Sequence, residues 1–211
     1  EGIKPVLIYP LFGVLLIGVF MFAVNPTMAA INTGITGFLN SMGGSSKILL
    51  GCIVAGMMSI DMGGPFNKAA YVFGTASIAS GNYDVMAAVM IGGMIPPLAV
   101  ALATTFFKKK FTSEERKSGV VNYIMGLCFI TEGVIPFAAA DPLRVIPSCV
   151  AGSAVAGGLS MLFGCTLRAP HGGIFVFPVV GNVVGYLIAL AAGSLVGMLL
   201  LGVLKKDKVE E

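Results

Sequence analysis

Glu132 stands in the stretch ITEGVIPFAAADPLRVIPS, residues 130–148, which is otherwise apolar enough for lipid. Thr131 precedes it, the helix-breaking Gly133 follows, and no basic residue lies closer than Arg144. A lone carboxylate in such a setting can accept a hydrogen bond from a polar ligand or take a proton as a general base. His171, the single histidine, sits in APHGG (169–173) and could switch charge near neutral pH or serve a structural contact. In DMGGPFNK (61–68) the spacing predicts a tight turn lined by Asp61, Asn67 and Lys68. Asn67 both donates and accepts, which suits hydroxyls.

Asp141 and Arg144 read differently. They are close enough to pair on one helical turn, and Asp141 with Pro142 after it also fits a helix cap. Arg168 reads as structural or as a contact for an anionic group. Each of these groups costs on the order of 3 kcal/mol if turned to lipid, so they should face a cavity or one another. The four cysteines (Cys52, Cys128, Cys149, Cys165) form no CxxC pair and have no histidine at ligand spacing, so they read as small hydrophobes. No metal or cofactor is expected. HExxH, GxSxG and P-loop signatures are missing, which disfavours a self-contained hydrolase or ATPase.

The elements that position these residues belong to a membrane. Of 211 residues, 56% are hydrophobic and 11% charged, far below the quarter or so charged in soluble domains. The apolar runs are long and do not alternate, so the expected class is all-α and polytopic. A net charge of +3 gives no reason to expect nucleic acid. Thirteen of the 23 acidic and basic residues fall in KKKFTSEERK (108–117) and the tail KKDKVEE (205–211). The positive-inside rule puts both on the cytoplasmic side. Spans are expected at Val85–Phe107, Val183–Leu204 and Val6–Val24, the last ending outside at Asn25-Pro26.

Between residues 118 and 182 only one full crossing fits, best at Val145–Leu167. The flanking stretches, about 119–144 and 168–181, must then enter and leave on the same side, as two opposed re-entrant hairpins. About 47–80 reads as a broken helix pair, since each apolar half is too short to span comfortably. Residues 27–46 read as an interfacial helix or loop. Irregular backbone at membrane depth must be buried in protein or line a cavity, and such breaks often build a transport site. Residues 1–26 lack a signal-peptide pattern and the chain opens on Glu1, so the expectation is part of a longer protein.

DMGGPFNKAAYVFG (61–74), ITEGVIPFAAADPLRVIPS (130–148) and LRAPHGGIFV (167–176) together resemble the enzyme IIC permease of the fructose family. That family belongs to the bacterial phosphoenolpyruvate-dependent sugar phosphotransferase system. The resemblance runs over residues 1–211 and implies the C-terminal part of a IIC domain, multi-pass in the bacterial inner membrane. It implies a fructose-like sugar as substrate and a IIB partner that phosphorylates it from a phosphocysteine. It further implies that Glu132, in the Thr131-Glu132 motif, holds the sugar near the accepting hydroxyl, with His171 matching the family's P-H-G-G, and that the protein is a homodimer. Two other classes stay open on the residues alone. An ion-coupled secondary transporter would use Glu132 and His171 as a proton relay. A non-transporting membrane scaffold would leave the buried charges unexplained.

Overall fold

The computed structural model describes residues 10–23, 26, 33 and 47–208. The chain divides into two compact units, Glu1–Ser41 and Met42–Glu211. In the first, the described element is helix α1, Pro10–Ala23. The rest of the expected Val6–Val24 span, residues 6–9 and 24, lies outside the described residues. So do Asn25 and, apart from residues 26 and 33, the segment 26–46.

The second unit is built on three helices long and apolar enough to cross a membrane: α4 (Asp84–Phe106), α7 (Pro142–Leu162) and α8 (Val183–Leu204). At 1.5 Å per residue each is about 31–35 Å long, the thickness of a bilayer's hydrocarbon core. α4 is apolar all round because it is the centre, with Val85–Pro97 buried without interruption. Its Pro96 and Pro97 are tolerated there because neighbouring helices enclose the freed backbone groups. α7 and α8 each turn one face inward and leave the other exposed. Close packing rests on small residues. A Cβ on Gly51 would lie 2.6 Å from the Gly157 carbonyl oxygen, and one on Gly152 would lie 2.7 Å from that of Gly193. Larger side chains at those crossings would force the helices apart.

Contacts at the helix ends define two ends of this unit. At one, the Leu167 N–H donates to the Tyr83 carbonyl just before α4, and the Asn182 amide donates to the Phe163 carbonyl just after α7. Asn182 also caps α8 by accepting the Gly185 N–H at 3.1 Å. At the other end the two charged clusters meet. The Lys208 N–H donates to the Lys109 carbonyl at 2.9 Å, and Lys110 pairs with Asp207 at 3.3 Å.

Three shorter segments leave one of these ends and come back to it. α2 (Lys47–Met57) and α3 (Pro65–Ala79) start and finish at the Tyr83 end, where Lys47 pairs with Asp84 at 3.0 Å. α5 (Ser113–Leu127) starts at the charged end behind a capping box, in which Thr112 and Glu115 satisfy each other's backbone N–H groups. The helix stops where Phe129 takes a left-handed φ of 63°, a 3-10 turn follows at Glu132–Val134, and α6 (Ile135–Ala140) returns. The third segment is closed by a two-residue ribbon, β1 (Thr166–Leu167) antiparallel to β2 (Val180–Gly181). Between those strands the chain is a loop and a 3-10 helix, Gly173–Val179, because Gly172 and Gly173 both hold positive φ and Pro178 follows. This is the one departure from an all-helical architecture among the described residues.

Asp141 sits at the N-cap position of α7, but its side chain makes no capping hydrogen bond. The carboxylate instead takes Arg144 at 3.1 Å and Lys205, at the end of α8, at 3.4 Å. Lys205 is buried at 3% exposure and also lies 5.0 Å from the Phe111 ring centroid. Phe111 in turn belongs with Phe137, Val134, Val145 and Leu201 to one apolar cluster. The return of α6 is thereby tied to the end of α8.

The tail is held by Glu115, which accepts from Lys208 at 2.9 Å on both carboxylate oxygens. Burial alone would raise this carboxyl's pKa, but the Lys208 hydrogen bonds, the Thr112 N–H and the charges of Lys208 and Lys205 outweigh it. The pKa falls below the ordinary value of 4.5. A depressed carboxylate stabilises the docked tail fully above its unfolded pKa and loses that contribution as pH falls through the folded value. Protease cleavage at the tail lysines should therefore stay slow down to pH 4.5 and accelerate only below it. Glu115→Gln should abolish that pH step.

Candidate functional site

The three returning segments meet at their tips. Gly173 is packed so closely on the Leu127 carbonyl and Cys128 that no side chain fits there, so the third loop abuts the break after α5. His171 is thereby set against Phe129, with ring centroids 5.0 Å apart, and edge-on to Tyr71 of α3 at 6.3 Å. The turn after α2 approaches from the other side. Met62 and Gly63 hold φ of 46° and 111°, and a Cβ on Gly63 would lie 2.9 Å from Glu132 Oε1. Only glycine suits that position, on both counts.

Between the tips lies a cavity of ≈ 250 Å³. Glu132 and Thr131 line it from the α5–α6 break, Asn67 and Lys68 from the first turn of α3, and His171 from the third loop. Its apolar wall is Met58, Tyr71, Phe129 and Ile130. The volume falls just under the roughly 300–1,000 Å³ of ordinary ligand pockets, which suits one small polar molecule.

The polar groups differ in how far the protein uses them. The Asn67 amide Nδ2 donates to the Met58 carbonyl at 2.8 Å, and its Oδ1 has no partner among the described residues. Glu132 and Lys68 are exposed and line the cavity, and neither has a hydrogen bond or ion pair among the described residues. Thr131 is buried at 4% exposure and lines the cavity. The cavity thus offers a carboxylate, an amide oxygen, a hydroxyl, an ammonium and an imidazole, beside two aromatic rings. Apart from the ammonium, that set matches a polyol, whose hydroxyls take the polar groups while its C–H faces lie on the rings.

Two residues singled out by type lie elsewhere. Asp61 is not on the cavity wall. Its carboxylate accepts the N–H groups of Phe66 at 2.7 Å and Asn67 at 3.0 Å, satisfying orphan donors at the start of α3. It thereby fixes the backbone at Asn67. Arg168 lies at the Tyr83 end, 4.9 Å from that ring's centroid. Conversely, Tyr71 and Phe129 are cavity residues that residue type did not bring forward. Tyr71 could have been found by its place one turn after Asn67 on the same helix face.

A buried hydroxyl relay braces the frame behind the site. Ser153 of α7 donates to the Gly92 carbonyl of α4 at 2.8 Å, so the 2.5 Å contact between Ser59 and Ser153 has Ser59 as donor. The α2–α3 break is in this way fastened to two spanning helices.

Gly63→Ala tests the fit of the turn against Glu132. It should leave the protein in the membrane and displace the carboxylate, weakening ligand binding about tenfold or more, since strained φ of this kind costs ~1–3 kcal/mol. Equilibrium binding to the purified protein measures it.

Residues 3–152 match the family described as "Phosphotransferase system, EIIC". The chain is 53% identical over its whole length to the "PTS system fructose-specific EIIABC component" of Bacillus subtilis strain 168 and covers 33% of that protein. It is also 53% identical to the "Fructose permease IIC component" of Bacillus amyloliquefaciens, covering all of this chain and 69% of that one. A third relative, the "PTS system fructose-specific EIIB'BC component" of Escherichia coli strain K12, is 46% identical over all of this chain and 38% of its own length. The chain thus spans about a third of the length of the multi-component relatives it matches. No solved structure matches it. With the family matched over most of its residues and close relatives covering all of them, the chain belongs to the EIIC family of the phosphotransferase system.

Proposed function

We propose that this chain is the sugar-binding part of a permease that carries a fructose-like sugar through the membrane and presents it for phosphorylation. The observation that carries this reading is the single cavity lined by Glu132, Thr131, Asn67, Lys68 and His171, drawn from three separate returning segments. The names of the relatives supply the sugar.

In this reading the charged end, residues 108–117 and the tail, faces the cytoplasm, as the positive-inside rule requires. The α5–α6 segment is then re-entrant from the cytoplasm, and the α2–α3 pair and the ribbon-closed loop are re-entrant from outside. The sugar sits at their meeting point, where irregular backbone is buried in protein. Glu132 accepts a hydrogen bond from the reacting hydroxyl, with Asn67 Oδ1, Thr131 and His171 on neighbouring ones. The phosphodonor is a phosphocysteine on a IIB domain. As the sugar oxygen bonds to phosphorus, Glu132 takes the hydroxyl proton and the sulfur leaves as thiolate.

The test is uptake into membrane vesicles carrying the protein and its IIB partner. Labelled fructose should arrive as the phosphate, and only when phosphoenolpyruvate and the general phosphotransfer proteins are inside. Unmodified sugar accumulating on a proton gradient would overturn the proposal.

A further inference from the structure

Lys68 carries a charge that a neutral sugar does not need. It lines the cavity from the first turn of α3 and is exposed, with no ion pair or hydrogen bond among the described residues. Comparable cations in this chain are committed: Lys47 pairs with Asp84, Arg144 with Asp141, and Arg168 lies over the Tyr83 ring. A cation held at membrane depth without a partner is costly, and such residues are retained for function. Sugar hydroxyls are served by Glu132, Thr131 and the free oxygen of Asn67. None of them calls for a fixed positive charge. The phosphoryl group does. It must also approach the Glu132 carboxylate, which repels it.

We propose that Lys68 binds the phosphoryl group in transit, holding its non-bridging oxygens while the sugar hydroxyl attacks. This rests on the phosphorylating function proposed above. The oxygen–phosphorus bond forms as the sulfur–phosphorus bond of the donor's phosphocysteine breaks, and the electron pair leaves on sulfur. The hydroxyl proton passes to Glu132. The Lys68 ammonium acts as a point charge opposite Glu132, so that one wall of the cavity takes the proton and another neutralises the phosphate.

The experiment separates sugar binding from transfer. Wild type, Lys68→Met and Lys68→Arg are placed in membranes with the phosphorylated IIB partner, and each is measured for equilibrium fructose binding and for the single-turnover rate of fructose phosphate formation. Lys68→Met should keep fructose affinity within about twofold and slow transfer roughly 100-fold, the usual loss on removing one donor to a developing negative charge. Lys68→Arg should recover much of the rate. Equal losses of affinity and rate in Lys68→Met would make Lys68 a sugar ligand and overturn the proposal. An unchanged rate would overturn it too. If wild type itself forms no sugar phosphate, the underlying function fails instead, and the two failures are distinguishable.

Discussion

Glu132→Gln should leave the protein in the membrane, weaken fructose binding and slow phosphorylation by roughly 10²- to 10⁴-fold, the range for removing a general base. The substitution keeps the size of the side chain and one acceptor oxygen, and removes the proton-accepting charge. Stability should hardly change, because the carboxylate has no hydrogen bond or ion pair among the described residues to lose. The turn at Gly63 is shaped to its presence: a Cβ there would lie 2.9 Å from Glu132 Oε1, so a glycine keeps that space clear, at a φ of 111° that other residues rarely adopt. Rate of fructose phosphate formation and fructose affinity, measured on the same membranes, decide it. Phosphorylation near the wild-type rate would move the base elsewhere in the cavity. A rate loss matched by an equal loss of affinity would reduce Glu132 to a ligand.

The long helices were legible because length and hydropathy suffice for them. The expected Val183–Leu204 coincides with α8, and Val85–Phe107 differs from α4 by one residue at each end. The Val145–Leu167 expectation was displaced toward the C-terminus. Pro142 starts α7 three residues earlier, and Gly164, at a φ of 63°, follows its end at Leu162.

Among the residues picked by type, Glu132, Thr131, Asn67, Lys68 and His171 are brought to one cavity, while Asp61 is turned to backbone donors. Nothing in composition separates a carboxylate on a cavity wall from one that holds a helix start. Tyr71 and Phe129 were hidden for the opposite reason, since an aromatic ring in an apolar chain looks like any other lipid-facing or core residue. Phe129 is also where the backbone turns left-handed, ahead of Gly133, the breaker expected from the sequence. By sequence Lys205 belongs to the charged tail KKDKVEE. Its burial depends on Asp141, far away in the chain, and hydropathy windows do not register such a contact.

That contact underlies the other large effect. Asp141→Asn should destabilise the protein by about 3 kcal/mol, the low end of the cost of breaking a buried pair from one side. Asp141 answers two cations of unequal need. Arg144 is 36% exposed at its side chain and can turn to water, so its share is small. Lys205 is 2% exposed at its side chain, lies against the Phe111 ring, and cannot. The neutral amide would leave that ammonium with little beyond the face of the Phe111 ring, and the tie between the end of α6 and the end of α8 would loosen. The expected result is faster proteolysis and a lower unfolding temperature in detergent, with fructose affinity unchanged in the fraction that stays folded. Removing the stranded charge should repair it. Asp141→Asn combined with Lys205→Met should recover most of the loss, because the long apolar side chain fills the same space with nothing left to neutralise. A double variant as unstable as the single one would mean that the carboxylate acts through Arg144 or the α7 start instead. Full stability of Asp141→Asn with lost uptake would bring Asp141 into the transport chemistry, and Lys205 with it.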